Sequence, residues 1–177
     1  MFYISFYTTL LQSNLGGQKM KTISNVTFLS EPIKELENTI YENCNFKEYN
    51  FFKAQIKNCF FINCNMEDAN FSKATISNCK FINCFMQFCG MVKVNIYSCE
   101  FYNCDMWHSN MCHSIIYETL FKKCIIRALF KDLNWQNNEY DNETLIESCG
   151  GTTCGLTKKI IKDLISISHR TSAKTAL

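Results

Sequence analysis

A large apolar residue recurs at every fifth position of the chain between residues 41 and 126 without interruption. A spacing of five fits neither the 3.6-residue period of an amphipathic helix nor the two-residue alternation of a half-buried strand. The pattern therefore predicts a third kind of repeating structure. The positions in the series are Tyr41, Phe46, Phe51, Ile56, Phe61, Met66, Phe71, Ile76, Phe81, Met86, Met91, Ile96, Phe101, Met106, Met111, Ile116, Phe121 and Ile126.

A second series of small residues stands two positions before the large ones, with Tyr49 as an oversized exception. The pattern also repeats after twenty residues, because four successive segments align column by column. They are YENCNFKEYNFFKAQIKNCF, FINCNMEDANFSKATISNCK, FINCFMQFCGMVKVNIYSCE and FYNCDMWHSNMCHSIIYETL. A chain that turns after each five residues returns above its start after four turns. This predicts a square solenoid whose coils stack at the strand spacing of about 4.8 Å.

The unit, a small residue, a polar residue, a large apolar residue and two free positions, resembles that of the pentapeptide-repeat family. The resemblance implies an all-β solenoid, a right-handed quadrilateral β-helix of about 4.5 coils, with the large and small residues inside. Asn45, Asn50, Asn65, Asn70, Asn95 and Asp105 agree with the polar position of the family unit. Phe60, Phe85 and Gly90 depart from it, so we expect those corners to be less regular or their faces to be covered.

The segments before the solenoid are assigned to a leader and a cap. Residues 1–19 carry no basic flank and no cleavage signal for secretion, so we expect either that translation begins at Met20 or that they form a disordered leader. Residues 20–40 are expected to cap the open first coil, with a short strand around Ile23 and a turn of helix from Pro32 to Leu36.

The five-residue rule fails at Lys131, so the solenoid is expected to span residues 41–130. Residues 131–155 are then an acidic, turn-rich connection, residues 156–170 an amphipathic α-helix, and residues 171–177 a tail. The helix either caps the last coil, forms a homodimer with a second copy, or lies on an acidic membrane, and the resemblance to the quinolone-resistance branch favours the dimer. Its apolar face is formed by Ile160, Ile161, Leu164 and Ile165.

The charge of the chain and its cysteine content exclude some classes of protein. With 18 basic and 16 acidic residues, the chain is neither a polybasic nucleic-acid binder nor a strongly acidic protein. Nine of the twelve cysteines occupy the small inward position. We expect reduced thiols that serve as compact core residues, because side chains in one column run parallel rather than converging as a disulfide requires. Reduced thiols in turn indicate that the protein is located in the cytoplasm. The resemblance implies that the source is a bacterium.

Two surface features are candidate binding sites. Outward positions of the third to fifth coils hold apolar and aromatic residues where polar ones are expected, and they form either an interaction patch or a face that the C-terminal tail covers. Lysines one coil apart form a basic column, which is either solvated or available to an anionic partner. The patch comprises Phe85, Phe88, Trp107, His108 and Ile125, and the column comprises Lys53, Lys73 and Lys93.

No catalytic, cofactor or metal site is predicted. A filled solenoid offers convex faces, and His108, His113 and His169 stand in no recognisable motif. Cys149 and Cys154 lack the CxxC spacing of a redox pair or zinc knuckle. The pattern therefore favours a non-enzymatic module that binds a protein partner.

The resemblance implies an alternative function: a DNA-mimicking partner of gyrase or topoisomerase IV that protects it from quinolones. Residues 41–130 hold nine basic and seven acidic residues, a charge of the wrong sign for a DNA mimic.

Overall fold

The computed structural model describes residues 20–29 and 31–149 of the 177-residue chain. The expected leader of residues 1–19, the expected helix of residues 156–170 with Ile160, Ile161, Leu164 and Ile165, and the tail of residues 171–177 lie outside the described residues. Within the described ranges the chain forms fifteen short strands and no helix.

The strands build parallel sheets that run along the length of a solenoid. In chain order the strands are β1 Lys21–Ser24, β2 Glu35–Glu37, β3 Thr39–Glu42, β4 Gln55–Lys57, β5 Phe60–Ile62, β6 Thr75–Ser77, β7 Lys80–Ile82, β8 Asn95–Tyr97, β9 Glu100–Tyr102, β10 Ile115–Tyr117, β11 Leu120–Lys122, β12 Ile125–Ala128, β13 Asn134–Gln136, β14 Glu139–Tyr140 and β15 Leu145–Ser148. The odd-numbered strands from β1 to β11, followed by β14, form a seven-stranded sheet. The even-numbered strands from β2 to β10, followed by β13, form a six-stranded sheet, and β12 pairs with β15.

The register confirms the twenty-residue repeat. Phe61 pairs with Phe81, and Phe81 with Phe101, so that equivalent residues of successive coils lie one above another. Their buried rings stack with centroids 4.9 and 4.7 Å apart, close to the spacing between strands. The large apolar positions of the pattern are therefore the core of the solenoid.

Two further faces of each coil are joined by single parallel bridges instead of extended strands. One such column runs through Asn45, Asn65, Phe85, Asp105 and Ile125, and the other through Asn50, Asn70, Gly90, Asn110 and Leu129. With the two main sheets they give each coil four faces, as the repeat predicts.

From Asn38 to Lys123, every corner between faces holds a residue with positive φ, and these residues recur five positions apart. In all, twenty-one non-glycine residues of the described ranges adopt this left-handed conformation. Asparagine tolerates it well, and the side chains of Asn43, Asn63, Asn83 and Asn103 form an amide ladder with N to O distances of 3.2, 3.0 and 2.9 Å. The corners beside Phe60 and Phe85 have the same φ as the others, so those two departures do not disturb the coil.

The cysteines at the small inward positions are buried in the core, as predicted. Their thiols donate hydrogen bonds to backbone carbonyls of the preceding coil, for example from Cys84 to Phe61 and from Cys104 to Phe81, both at 3.3 Å. Burial raises the pKa of the Cys84 and Cys104 thiols above the ordinary value. These groups stay protonated at neutral pH and serve as packing residues.

The N-terminal helical turn expected from Pro32 is wrong, because that stretch leads into strand β2. Leu36 lies five residues before Tyr41 and pairs in register with Ile56. It therefore occupies a central position, and the five-residue pattern begins one face earlier than predicted. Its neighbours Ile23 and Phe28 pack against the same core.

The expected count of about 4.5 coils is also wrong, since the solenoid makes about six turns. Strands β13, β14 and β15 lie within residues 131–149, which the sequence assigned to a connection. The physical reason is a shift of one residue in the spacing of the core positions. After Ile126 the next core residue is Phe130, four residues later instead of five. The spacing is restored in the next coil, where the partly buried Ile146 follows Tyr140 by six residues. Because the shift places Lys131 outside and Phe130 inside, the coil continues where the strict spacing fails.

Candidate functional site

Three aromatic side chains meet at one corner of the solenoid, on two successive coils. The Phe88 ring stacks on the His108 ring with centroids 5.7 Å apart and 10° between planes, and the Trp107 ring stands edge-on to both, 5.7 Å from Phe88 and 4.2 Å from His108. The structure thus brings together three of the five residues that the sequence assigned to the patch.

The backbone holds these rings in place. Phe88 and His108 are corner residues with φ of 58° and 56°. The N–H of Phe88 donates to the carbonyl of Trp107 at 2.9 Å, and the N–H of His108 donates to the carbonyl of Arg127 at 2.6 Å. A bulky side chain on a left-handed residue is costly, and hydrogen bonds to the next coil keep it there. The aromatic group is therefore presented on a rigid surface.

An apolar column stands beside the aromatic corner. Phe85 and Ile125 flank Asp105 in a line of parallel bridges, and Leu145 of β15 continues the line because it pairs with Ile125. Phe85, Phe88, Ile125 and Leu145 are 41, 43, 42 and 45% exposed. The sequence missed Leu145 because it lies in the segment assigned to a connection. We call these residues, Phe85, Phe88, Trp107, His108, Ile125 and Leu145, the apolar patch.

The charged side chains beside the apolar patch are paired with neighbouring groups. One carboxylate oxygen of Asp105 accepts a hydrogen bond from the backbone N–H of Trp107 at 3.0 Å, and the other accepts one from the side-chain amide of Gln87 at 2.6 Å. Arg127 is paired with Glu147 at 3.0 Å. These charges are therefore not aimed at an external group, and the chemistry of the surface is set by its apolar side chains.

The lysine column lies at the next corner along each coil. Lys53, Lys73 and Lys93 have φ of 60°, 60° and 58°, and His113 continues the column and lies 3.2 Å from Asp132. The ammonium groups of Lys53 and Lys73 stand 5.3 and 5.4 Å from the ring centre of Phe52. No carboxylate of the described residues lies within ion-pair distance of the three lysines.

The described part of the chain contains no group of three or more His, Cys, Asp and Glu side chains that could hold a metal ion. Cys149 lies within that part and is partly exposed, whereas Cys154 lies outside it. Among residues 20–29 and 31–149 we also find no helix of the length and apolarity needed to cross a membrane.

Solved structures that match the chain include one of a fluoroquinolone resistance protein and one of a pentapeptide repeat protein. A trypsin-treated variant of QnrB1, a plasmid-mediated fluoroquinolone resistance protein, is 11% identical over 71% of this chain and 74% of that chain, with a TM-score of 0.49. Rfr23 from the cyanobacterium Cyanothece 51142 is 10% identical over 80% of this chain and 99% of its own, with a TM-score of 0.36. No curated protein sequence matches the chain.

The sequence pattern of the family described as Pentapeptide repeats matches the chain in eight copies, in overlapping segments at residues 35–68, 50–87 and 69–107. These segments begin with strand β2 and end within the coil that carries Trp107. The matched segments are the same coils that the structure builds from five-residue steps. Residues 35–107 of the chain accordingly belong to the pentapeptide-repeat family.

Proposed function

We propose that the chain is a non-enzymatic protein-binding or scaffold module that acts in the cytoplasm of a bacterium and binds its partner through the apolar patch. The observation that carries this proposal is the line of exposed apolar side chains, Phe85, Phe88, Ile125 and Leu145, on one side of the solenoid. Contiguous exposed apolar surface of this kind is typical of interaction sites on soluble proteins.

The geometry of the apolar patch suits a binding surface. Rings that are already held by the backbone lose little conformational entropy when a partner covers them. Tryptophan and other aromatic side chains also contribute a large share of the binding energy in many interfaces. The paired charges of Asp105 and Arg127 can stay as they are when the partner docks. A partner with an apolar groove or a complementary flat face would fit this convex surface.

The test is a quantitative pull-down from lysate of the source cells, with the full chain carrying Phe88→Ser. Phe52→Ser is the matched control, because Phe52 is 40% exposed and lies outside the apolar patch. We expect a partner to be recovered equally by the parent and the control, and at least about tenfold less by Phe88→Ser, which corresponds to about 1.4 kcal/mol. Equal recovery by all three proteins would refute the role of the apolar patch.

The alternative function is a DNA-mimicking partner of gyrase or topoisomerase IV. A mimic of duplex DNA needs a continuous acidic surface, whereas here basic and acidic side chains on neighbouring coils pair with each other, as in Lys47 with Glu67 at 2.8 Å and Lys80 with Glu100 at 2.9 Å. These pairs support the general binding module over the mimic. In a gyrase supercoiling assay with ciprofloxacin, we expect no rescue of supercoiling, and rescue would support the mimic instead.

We further propose, from the sequence of residues 156–170, that two copies of the chain associate through their C-terminal ends. The apolar face of Ile160, Ile161, Leu164 and Ile165 supports this proposal. Light scattering of the full chain and of Leu164→Glu tests it. A dimer that Leu164→Glu separates into monomers is the expected result, and a monomeric parent would exclude it.

A further inference from the structure

We propose that the lysine column, Lys53, Lys73 and Lys93, binds an extended acidic segment of a protein partner. The segment lies along the face between this column and the corner of Phe88 and His108, with its carboxylates towards the lysines. Because that face borders the apolar patch, the interaction rests on the proposed function and adds the chemistry of one segment of the partner.

The surface around the lysine column carries no carboxylate on four successive coils. The stretches that form this surface contain neither Asp nor Glu, and they are residues 49–56, 69–76, 89–96 and 109–116. On another face, basic and acidic side chains of neighbouring coils pair with each other, as Lys80 does with Glu100 at 2.9 Å. None of the described carboxylates pairs with the three lysines. Their ammonium groups therefore create a potential of one sign that attracts an anion.

The fold itself does not require lysine at these corners. Lys53, Lys73 and Lys93 have positive φ, which Asn adopts more readily, and the corner columns that begin at Asn43 and Asn58 hold Asn on several coils. Like charges on adjacent coils also repel each other. Because neighbouring coils are about 4.8 Å apart, the three lysines form a row about 10 Å long. A bound anion relieves the repulsion along this row.

The face beside the lysine column is flat, so a polymer backbone can lie on it. Its outward side chains on the second to fourth coils are small or absent, and the positions are Asn70, Ser72, Gly90, Val92, Asn110 and Cys112. An extended peptide presents alternate side chains on one side about 6.8 Å apart. Two carboxylates at that spacing fit within the row of three lysines, whose side chains are exposed and long enough to adjust.

The opposite edge of this face favours a peptide over a nucleic acid. Glu48 and Asp68 occupy the exposed corners of the first two coils there, and Phe88 and His108 occupy those of the next two. A nucleic-acid strand carries a phosphate on every nucleotide, and the two carboxylates would repel it. A peptide directs alternate side chains to opposite sides, so acidic residues can meet the lysines while neutral residues meet the other edge. A single row of charges on a corner also fits a linear segment better than a flat membrane.

A titration of the full chain, followed by nuclear magnetic resonance, tests this proposal. The probe is a peptide of about ten residues with alternating Glu and Thr, so that all its carboxylates share one side when it is extended. The readout is the ε-methylene resonances of the lysine side chains at low salt. We expect saturable shifts at Lys53, Lys73 and Lys93 that exceed those at the other lysines, and their loss in about 1 M NaCl, where the Debye length is about 3 Å.

Two matched variants locate the binding site. Replacing all three residues of the lysine column by Gln should weaken the peptide about tenfold, as expected for the loss of three exposed charge contacts. The control is Lys21→Gln with Lys80→Gln and Lys122→Gln, which removes the same charge from the seven-stranded sheet. This control should leave the affinity unchanged.

The remaining outcomes would overturn the proposal. They are an absence of shifts, equal shifts at all lysines, equal weakening by the two triple variants, or equal binding of a peptide in which Gln replaces Glu. Tighter binding of a single-stranded oligothymidylate of the same length would identify a nucleic acid as the ligand, and tighter binding of phosphatidylserine vesicles would identify a membrane. The titration does not depend on Phe88. An absence of peptide binding together with Phe88-dependent recovery of a partner would therefore reject the acidic segment and leave the proposed function intact.

Discussion

At the scale of the residue, the fold is a balance between buried large side chains and strained corners. A non-glycine residue in the left-handed region costs roughly 1–2 kcal/mol, and burying a Phe, Ile or Met side chain contributes about 1.5–3 kcal/mol. Each five-residue unit contains one residue of each kind, such as the corner Lys73 and the core Phe71. The burial term is the larger one, and the hydrogen bonds between coils add to it.

Replacing Phe71 by Ala should lower the free energy of unfolding by roughly 3–5 kcal/mol, because its fully buried ring stacks on Phe51 at 4.6 Å and would leave a cavity. Lys73→Ala, two residues further along the same unit, should change it by no more than about 0.5 kcal/mol, since Lys73 is exposed and both side chains have a Cβ. Urea denaturation measures both values. Similar losses for the two variants would mean that inside and outside are misassigned.

At the scale of the element, the backbone N–H of each corner residue needs an acceptor. In the corner column from Asn43 to Asn103 the acceptor is a carbonyl of the next coil, as from Asn103 to Lys122 at 2.8 Å. The equivalent corner residue of the following coil is Lys123. There the carboxylate of Asp141 takes over, accepting the Lys123 N–H at 3.1 and 3.2 Å and the Thr144 hydroxyl at 2.7 Å. The last turn of the solenoid is thus tied to the previous one by a charged acceptor.

This carboxylate makes the last turn sensitive to acid. Burial acts to raise the pKa of Asp141, but hydrogen bonds from the Thr144 hydroxyl and from backbone N–H groups outweigh it, and the pKa is lowered. A carboxyl with a lower pKa in the folded state stabilises the fold above its unfolded pKa of about 3.9, and that contribution is lost as pH falls through the folded value. Asp141→Asn should therefore be less stable than the parent at pH 6.

The measurement is the urea midpoint of both proteins between pH 6 and pH 2.5. We expect the gap between parent and Asp141→Asn to stay constant above about pH 5 and to narrow below it. A gap that does not change across this range would show that the negative charge of Asp141 makes no difference to the stability.

At the scale of the whole molecule, the solenoid is a one-dimensional stack in which each coil is stabilised by its neighbours. The last described coil covers the one before it, with the Trp135 ring stacked on Phe121 at 5.1 Å and β13 and β14 paired with β10 and β11. A stack that loses its end coil exposes both core residues and unpaired strand edges.

A chain ended after Phe130 should therefore unfold at lower urea concentration than the full chain and should associate at its exposed end. A chain ended after Cys149 keeps β13, β14 and β15, and it serves as the control for removal of the C-terminal segment alone. Circular dichroism gives the midpoint, and light scattering gives the association. Equal midpoints for the two shortened chains would contradict the assignment of residues 131–149 to the solenoid.

The sequence by itself determined the coil, because each residue of the repeat meets its own equivalent twenty positions later. A period of five, with small residues two positions before the large ones, therefore specifies both the local conformation of the chain and the register in which successive coils pair. The same reasoning placed Phe88, Trp107 and His108 on one surface, since positions twenty residues apart share a column. Of the residues that depart from the repeat unit, Phe60 is buried and Phe85 is exposed, and the repeat alone does not distinguish the two.

The tertiary structure alone decided the features that break the period. The one-residue shift between Ile126 and Phe130 is visible only because β13 and β14 pair with the coil before them, and it brought Leu145 to the apolar patch. The outer cluster of Ile40, Phe60 and Ile62 is likewise a feature that the five-residue period does not specify. The physical reason is the same in both cases: a pattern within the chain specifies which residues can be buried, whereas the packing of the folded chain decides which contacts bury them.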